Sequence, residues 1–190
     1  MSGDRRLAST RGSGLRTADS EERMRDVLSL LARLRVPLGF ALAVIVFLCA
    51  QPTRTSLPWG AVVALVGEAV RFWAAGHVEK GREVTTSGPY RWTRHPLYAG
   101  STIIGIGLAI ACNSWIAAAI IALYLSVTLT AAIRTEEAWL RARFGAEYDA
   151  YCEGHTTARR FSVRRALGNR EHRAIAGLAL GLLLLALKIS

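Results

Sequence analysis

The sequence predicts an all-α, polytopic membrane helical bundle with about five transmembrane helices. Three observations predict it. The apolar residues, 52% of a 190-residue chain, fall in long blocks instead of an amphipathic rhythm, as they do in helices surrounded by lipid. Arginines crowd the ends of those blocks, where they would anchor to headgroups. Between the second and third blocks, Gly88 to Gly100 gathers prolines, aromatics, arginines and a histidine, which is too particular for a plain linker. The net charge of +10 would suit nucleic acid, but its placement at block ends points to membrane lipids, and no nucleic-acid partner is expected. Cys49, Cys112 and Cys152 form no CxxC pair and leave an odd count. No disulfide framework or metal site is therefore expected, and the cysteines read as small apolar fillers.

Taken in order, residues 1–26 are polar, with charges of both signs, and read as a mobile arm that is not a cleavable signal. Residues 27–76 hold a first helix pair. Val27 to Ala50 is apolar apart from Arg33 and Arg35, which could snorkel to an interface, and Gln51-Pro52-Thr53-Arg54 closes it. Pro58 reopens a helix that runs to about Gly76. Inside it Glu68 and Arg71 stand at i, i+3 and can pair. A charge at this depth costs roughly 2.5–3.5 kcal/mol, so the two residues mark either a site or a structural pair near the helix end.

Residues 77–165 form the third unit. His77 to Thr86 is polar and includes Glu79, Lys80, Arg82 and Glu83. Pro89 and Pro96 disfavour helix at Gly88 and His95, so a helix starts at Pro96 with His95 just ahead of its positive end. That geometry suits an anionic ligand group, and equally a tight interfacial turn. Leu97 to Ala111 is the third block, Asn113 breaks it, and Ser114 caps a fourth that reaches Ile133. Gly100, Gly105 and Gly107 permit close helix approach. Arg134 to Tyr151 reads as a helix leaving the membrane, in which Glu136 heads a stripe of Leu140, Phe144, Tyr148 and Tyr151. Glu137 can pair with Arg141 at i+4 on the surface. The run Arg159, Arg160, Arg164 and Arg165 reads as a solvated or lipid-facing surface. Residues 166–190 carry a last apolar helix, Ala174 to Ile189, slightly short for a span. The positive-inside rule places the arm and the two arginine-rich regions, 77–95 and 134–173, in the cytoplasm.

The order of motifs resembles the isoprenylcysteine carboxyl methyltransferase family and its phospholipid methyltransferase relatives. They are Gly88-Pro89-Tyr90, then Arg94-His95-Pro96-Leu97-Tyr98-Ala99-Gly100, a hydrophobic hairpin, Glu136-Glu137-Ala138-Trp139-Leu140, Phe144-Gly145-Ala146-Glu147-Tyr148 and Arg160-Phe161. The resemblance spans roughly 67–161. It departs from the family at Ser162 and Val163, where a proline is common, and does not cover the tail 174–189.

The resemblance implies an integral membrane enzyme, in the cell inner membrane, that binds S-adenosylmethionine in a cytosolic-side pocket formed by loops and a C-terminal helix. By position, Val84, Thr85, Tyr90, His95, Pro96, Leu97, Tyr98, Glu136 and Glu137 would line the cofactor site. Arg134, with Arg160 and Arg71, would orient an acidic acceptor on a lipid-modified substrate entering from the bilayer. Carboxyl O-methylation of an isoprenylcysteine-like substrate is the reaction expected. The alternatives are phospholipid N-methylation, an NADPH-dependent sterol-reductase-like enzyme, and a non-enzymatic lipid-binding protein. The reductases typically read RHPNY, where this chain has Leu97.

Overall fold

The computed structural model describes residues 38–79 and 81–189. The expected arm, the start of the first span with Arg33 and Arg35, and Lys80 lie outside the described residues. Seven helices and no strand are present among them: α1 (Leu38–Cys49), α2 (Ser56–Ala75), α3 (Pro96–Cys112), α4 (Trp115–Phe144), α5 (Ala146–Cys152), α6 (Val163–Gly168) and α7 (Glu171–Leu187), with a 3-10 turn at Gly88–Arg91.

Two helices, α2 and α4, are long and apolar enough to cross a membrane. The apolar window of α4 is only 6% buried within the protein, so its side chains face outward, as lipid contact requires. The other apolar helices are shorter: the described part of α1 is Leu38–Cys49, and α3 and α7 have 17 residues each. The protein is thus an all-helical membrane bundle in which two helices, not five, have full spanning length among the described residues.

The boundary signals acted largely as their chemistry dictates. Ser114 accepts a hydrogen bond from the Ala117 amide at the start of α4, and Asn113 ends α3 in the left-handed region at φ 47°, a conformation that Asn tolerates. Thr53 and Ser56 exchange amide-to-hydroxyl bonds of 2.9 Å each at the entry to α2.

One expectation is corrected. The fourth block and the charged segment after it are a single helix, α4, which passes through Ile133 and ends at Phe144. The break falls at Gly145, whose φ of +47° suits glycine and starts α5 in a new direction. Nothing at Arg134 stops the helix, because polar residues there replace one solvent with another without disturbing the backbone ladder.

The helices α2 and α3 form the tightest seam. A Cβ on Gly67 would lie 2.7 Å from the Gly100 carbonyl, and one on Gly107 would run into the α2 backbone at Ala64. Backbone-to-backbone contact of this kind is how helices associate where lipid removes the hydrophobic drive. At the end of the bundle near Cys112, Lys188 donates to the carbonyls of Phe47 at 2.8 Å and Leu48 at 3.0 Å. At the opposite end the Asn169 amide donates to the carbonyls of Ala75 and Val78. The polar caps therefore occupy the two ends, leaving the middle apolar.

Candidate functional site

The loop 76–95 and the chain after α4 are joined at the same end of the bundle. Gly76 lies beneath the Phe161 ring so closely that a Cβ there would overlap it, and the Ser162 amide donates to the Gly76 carbonyl at 3.1 Å. Thr86 and Thr157 share a 2.7 Å hydroxyl bond, and the Thr157 amide donates to Thr86 at 2.9 Å. Tyr151 donates to the Tyr90 carbonyl at 2.7 Å, and burial pushes its phenol up to about 12. Arg159 pairs with Glu79 and Glu83, while Arg165 donates to the carbonyls of His77 and Arg160. Arg159 and Arg165 are therefore inward clamps, which corrects the reading of the basic run as a free surface. Arg164 remains exposed.

His77, one of the polar residues beyond the second span, lies at the centre of this junction. It is 4% exposed, its Nδ1 is 3.2 Å from the Ser87 hydroxyl, and a Cβ on Gly88, which sits at φ +61°, would overlap its ring. Burial, then the positive charges of Arg165 and Arg159, hold its pKa below the ordinary histidine value. Sequence reasoning gave His77 no role. Its position one residue after the span-ending Gly76 was the available signal.

His95 precedes α3, and its Nε2 lies 3.0 Å from Glu137 Oε1, with Arg94 at 4.0 Å from the same oxygen. A carboxylate only accepts, so Nε2 is the donor in this bond. The expected pairing of Glu137 with Arg141 is replaced by this bond: α3 stands beside the inner face of α4, and a turn-end histidine reaches Glu137 first. The Tyr98 ring lies 5.7 Å from that of His95.

Glu136, one residue away and so about 100° around the helix, is exposed. It lines a second surface of the same region, a cavity of about 570 Å³ shared with Tyr98, Thr135 and Trp139 at its polar end and with Leu42, Leu123 and Val127 beyond. Burial first, and then the Glu136 carboxylate, push the Tyr90 phenol upward, which puts Tyr90 within electrostatic reach of the same site. The stripe expected below Glu136 does pack inward. Leu140, Phe144, Tyr148 and Tyr151 enclose Val84, and Glu136 and Glu137 flank its upper end on either side.

The remaining candidates separate. Pro96 is buried and Leu97 half-buried in the first turn of α3. Val84 is taken up in the aromatic cluster, and the Thr85 hydroxyl accepts from the Glu79 amide at 3.4 Å, so both support the loop. Arg134 and Arg160 are exposed. Arg71 is brought to none of these groups. It lies in the bundle, bonded to Ser101 and, through Nη2 at 3.1 and 3.2 Å, to both oxygens of Glu171. Among the described residues, no group of three His, Cys, Asp or Glu side chains is placed to hold a metal ion.

The fold and site define a helical membrane protein with a polar, tyrosine- and carboxylate-bearing end on an apolar cavity. The chain belongs to the phospholipid methyltransferase family, whose pattern it matches over residues 34–147. It is 37% identical over 94 residues to the nickel-cobalt-cadmium resistance protein NccN of Alcaligenes xylosoxydans xylosoxydans, covering 48% of this chain and 42% of that protein. To the cobalt-zinc-cadmium resistance protein CzcN of Cupriavidus metallidurans it is 37% identical over 87 residues, covering 45% and 39%. A probable protein-S-isoprenylcysteine O-methyltransferase of Oryza sativa subsp. indica is 31% identical over 106 residues, covering 50% and 56%. In each case the matched part is about half of the relative or less. No solved structure matches the chain.

Proposed function

We propose that the protein is an S-adenosylmethionine-dependent methyltransferase acting on a lipid-linked acceptor in the cell inner membrane, with its site facing the cytoplasm. One observation carries the reading: Tyr98 and Glu136 stand at the polar end of an apolar cavity, and the His95–Glu137 pair lies beside it, with the His95 ring 5.7 Å from that of Tyr98. Family membership and the two O-methyltransferases among the relatives support it. So does the meeting of both arginine-rich regions at one end of the bundle, in the sense of the positive-inside rule.

The residues fit the donor. S-adenosylmethionine supplies a methyl group on a positively charged sulfur. The tyrosine faces of Tyr98 and Tyr90 attract cations, and the carboxylates of Glu136 and Glu137 accept from hydroxyl and ammonium groups. Thr135 adds a hydroxyl to the same wall. These side chains would hold donor and acceptor in line and keep water out, which is most of what a transfer between opposite charges requires.

For a carboxylate acceptor, such as an isoprenylcysteine-like group, no base is needed, because carboxyl groups ionise near pH 4. Arg134 and Arg160, both exposed at this end, remain free to orient it. A second reading, phospholipid N-methylation, has its own observation. Glu136 puts a carboxylate at the cavity head, which favours a cationic amine. Such an amine must lose a proton before attack, so this reading calls for a base.

Incubation of purified protein with methyl-labelled S-adenosylmethionine and a panel of lipid-linked carboxylates, thiols and amines separates the two. Base-labile label on a carboxylate supports the first reading, and base-stable label on an amine the second. Failure of all acceptors, together with no donor binding by calorimetry, overturns both.

A further inference from the structure

A second cavity, of about 550 Å³, lies among α1, α2, α3, α4 and α7, a size typical of small-molecule sites. Its lining contains none of His95, Tyr98, Glu136 or Glu137. The walls are mostly aliphatic, with Phe47 and Tyr124 among them, and along α3 they run from Ser101 to Cys112, about 16 Å at 1.5 Å per residue. Polar groups gather at one end, where Glu68 and Arg71 sit within about two turns of the α2 C-terminus at Ala75.

The hydrogen bonds at that end do not close. Arg71 spends its Nη groups on Ser101 and Glu171, but its Nε has no hydrogen-bond partner among the described residues, and neither oxygen of Glu68 has one. Glu68 is 6% exposed. Arg71 Nε and Glu68 Oε2 are 3.9 Å apart, too far for a direct hydrogen bond. A buried carboxylate left without donors is costly, so the gap calls for one atom that accepts from Nε–H and donates to the carboxylate.

A hydroxyl oxygen does both. An ammonium cannot accept from Arg71, and a carboxylate cannot donate to Glu68 and would be repelled by it. We propose that this cavity binds an aliphatic alcohol, its hydroxyl bridging Arg71 Nε and Glu68 and its chain extended along α3 towards Cys112. The site is independent of the donor reading. Its tail wall includes Gly177 and Gly181 of α7, so it draws on a segment outside the family match at 34–147.

The test uses the full chain in phosphatidylcholine nanodiscs and a twelve-carbon alcohol carrying a photoreactive diazirine near its tail end. Labelled peptides from α1, α4 or α7 are expected, with dodecanol competing about tenfold better than dodecanoic acid or dodecylamine, as expected when a buried charged group keeps or loses its partner. Glu68→Ala should abolish that preference. Gly181→Leu should abolish the labelling itself; a Cβ there meets nothing within 4 Å, so the leucine enters the cavity without breaking the fold, and an unchanged melting temperature and helical circular dichroism verify this. Equal competition by all three compounds, which would mean that lipid tails and water fill the cavity, overturns the proposal. Labelling indifferent to Gly181→Leu in a folded protein also overturns it.

Discussion

Glu137→Ala probes the bond on which the proposed site turns. The 3.0 Å contact of its carboxylate with His95 Nε2 fixes the orientation of the ring. Hydrogen bonds to charged groups contribute about 1.5–3 kcal/mol. The side chains here are 17% and 26% exposed, which screens the contact and brings it to about 1 kcal/mol. On the proposed reading, donor affinity should fall about fivefold. Isothermal titration of S-adenosylmethionine in detergent, on wild type, Glu137→Ala, His95→Ala and the double variant, closes a cycle whose coupling should also be about 1 kcal/mol. Glu136→Ala, on the other surface of α4, should add independently to His95→Ala. Coupling of His95 to Glu137 below roughly 0.3–0.5 kcal/mol, the range in which unconnected residues add, would refute the argument that the pair acts as a unit.

Three further outcomes follow from the packing. Because the folded pKa of His77 lies below its ordinary value, its contribution to stability is complete above about pH 6.5. It is lost as pH falls from there through the folded value. Melting temperatures of His77→Gln across pH 5 to 8 should therefore lack part of the acid-side decline of the wild type, and parallel curves would show that the histidine is not the source. Gly107→Ala drives a methyl into the α2 backbone and should cost about 1–3 kcal/mol, whereas Gly177→Ala, which meets open space, should stabilise α7 by about 0.5–1 kcal/mol; thermal unfolding in one detergent compares them. Gly76→Ala should loosen the Phe161 contact and increase proteolysis after Cys152, and a second change, Phe161→Ala, should restore part of the fit by removing the ring that the methyl strikes.

Particular residues show where sequence reading reaches and where it stops. Ser114, Asn113 and Pro96 set helix ends through their own backbone and hydroxyl chemistry, so the bounds of α3 and the start of α4 were legible. The Glu68–Arg71 pairing was legible too, because i, i+3 neighbours meet on any helix. The end of α4 was not, since the polarity change near Arg134 looks like a boundary while the backbone break waits for Gly145.

By itself, then, the sequence determined a helical membrane bundle of the phospholipid methyltransferase type, and it drew attention to the His95 turn and the paired glutamates. Local chemistry and hydropathy act within a few residues, and those features need nothing more. Only the tertiary structure decided that Glu137 takes His95 while Glu136 faces the apolar cavity, that Arg71 is bonded to Glu171 one hundred positions away, and that His77 is buried beneath Gly88 and Phe161. Each of these depends on which helix faces stand opposite one another, a consequence of the glycine seam between α2 and α3 and of the turn at Gly145, and no spacing along the chain encodes it.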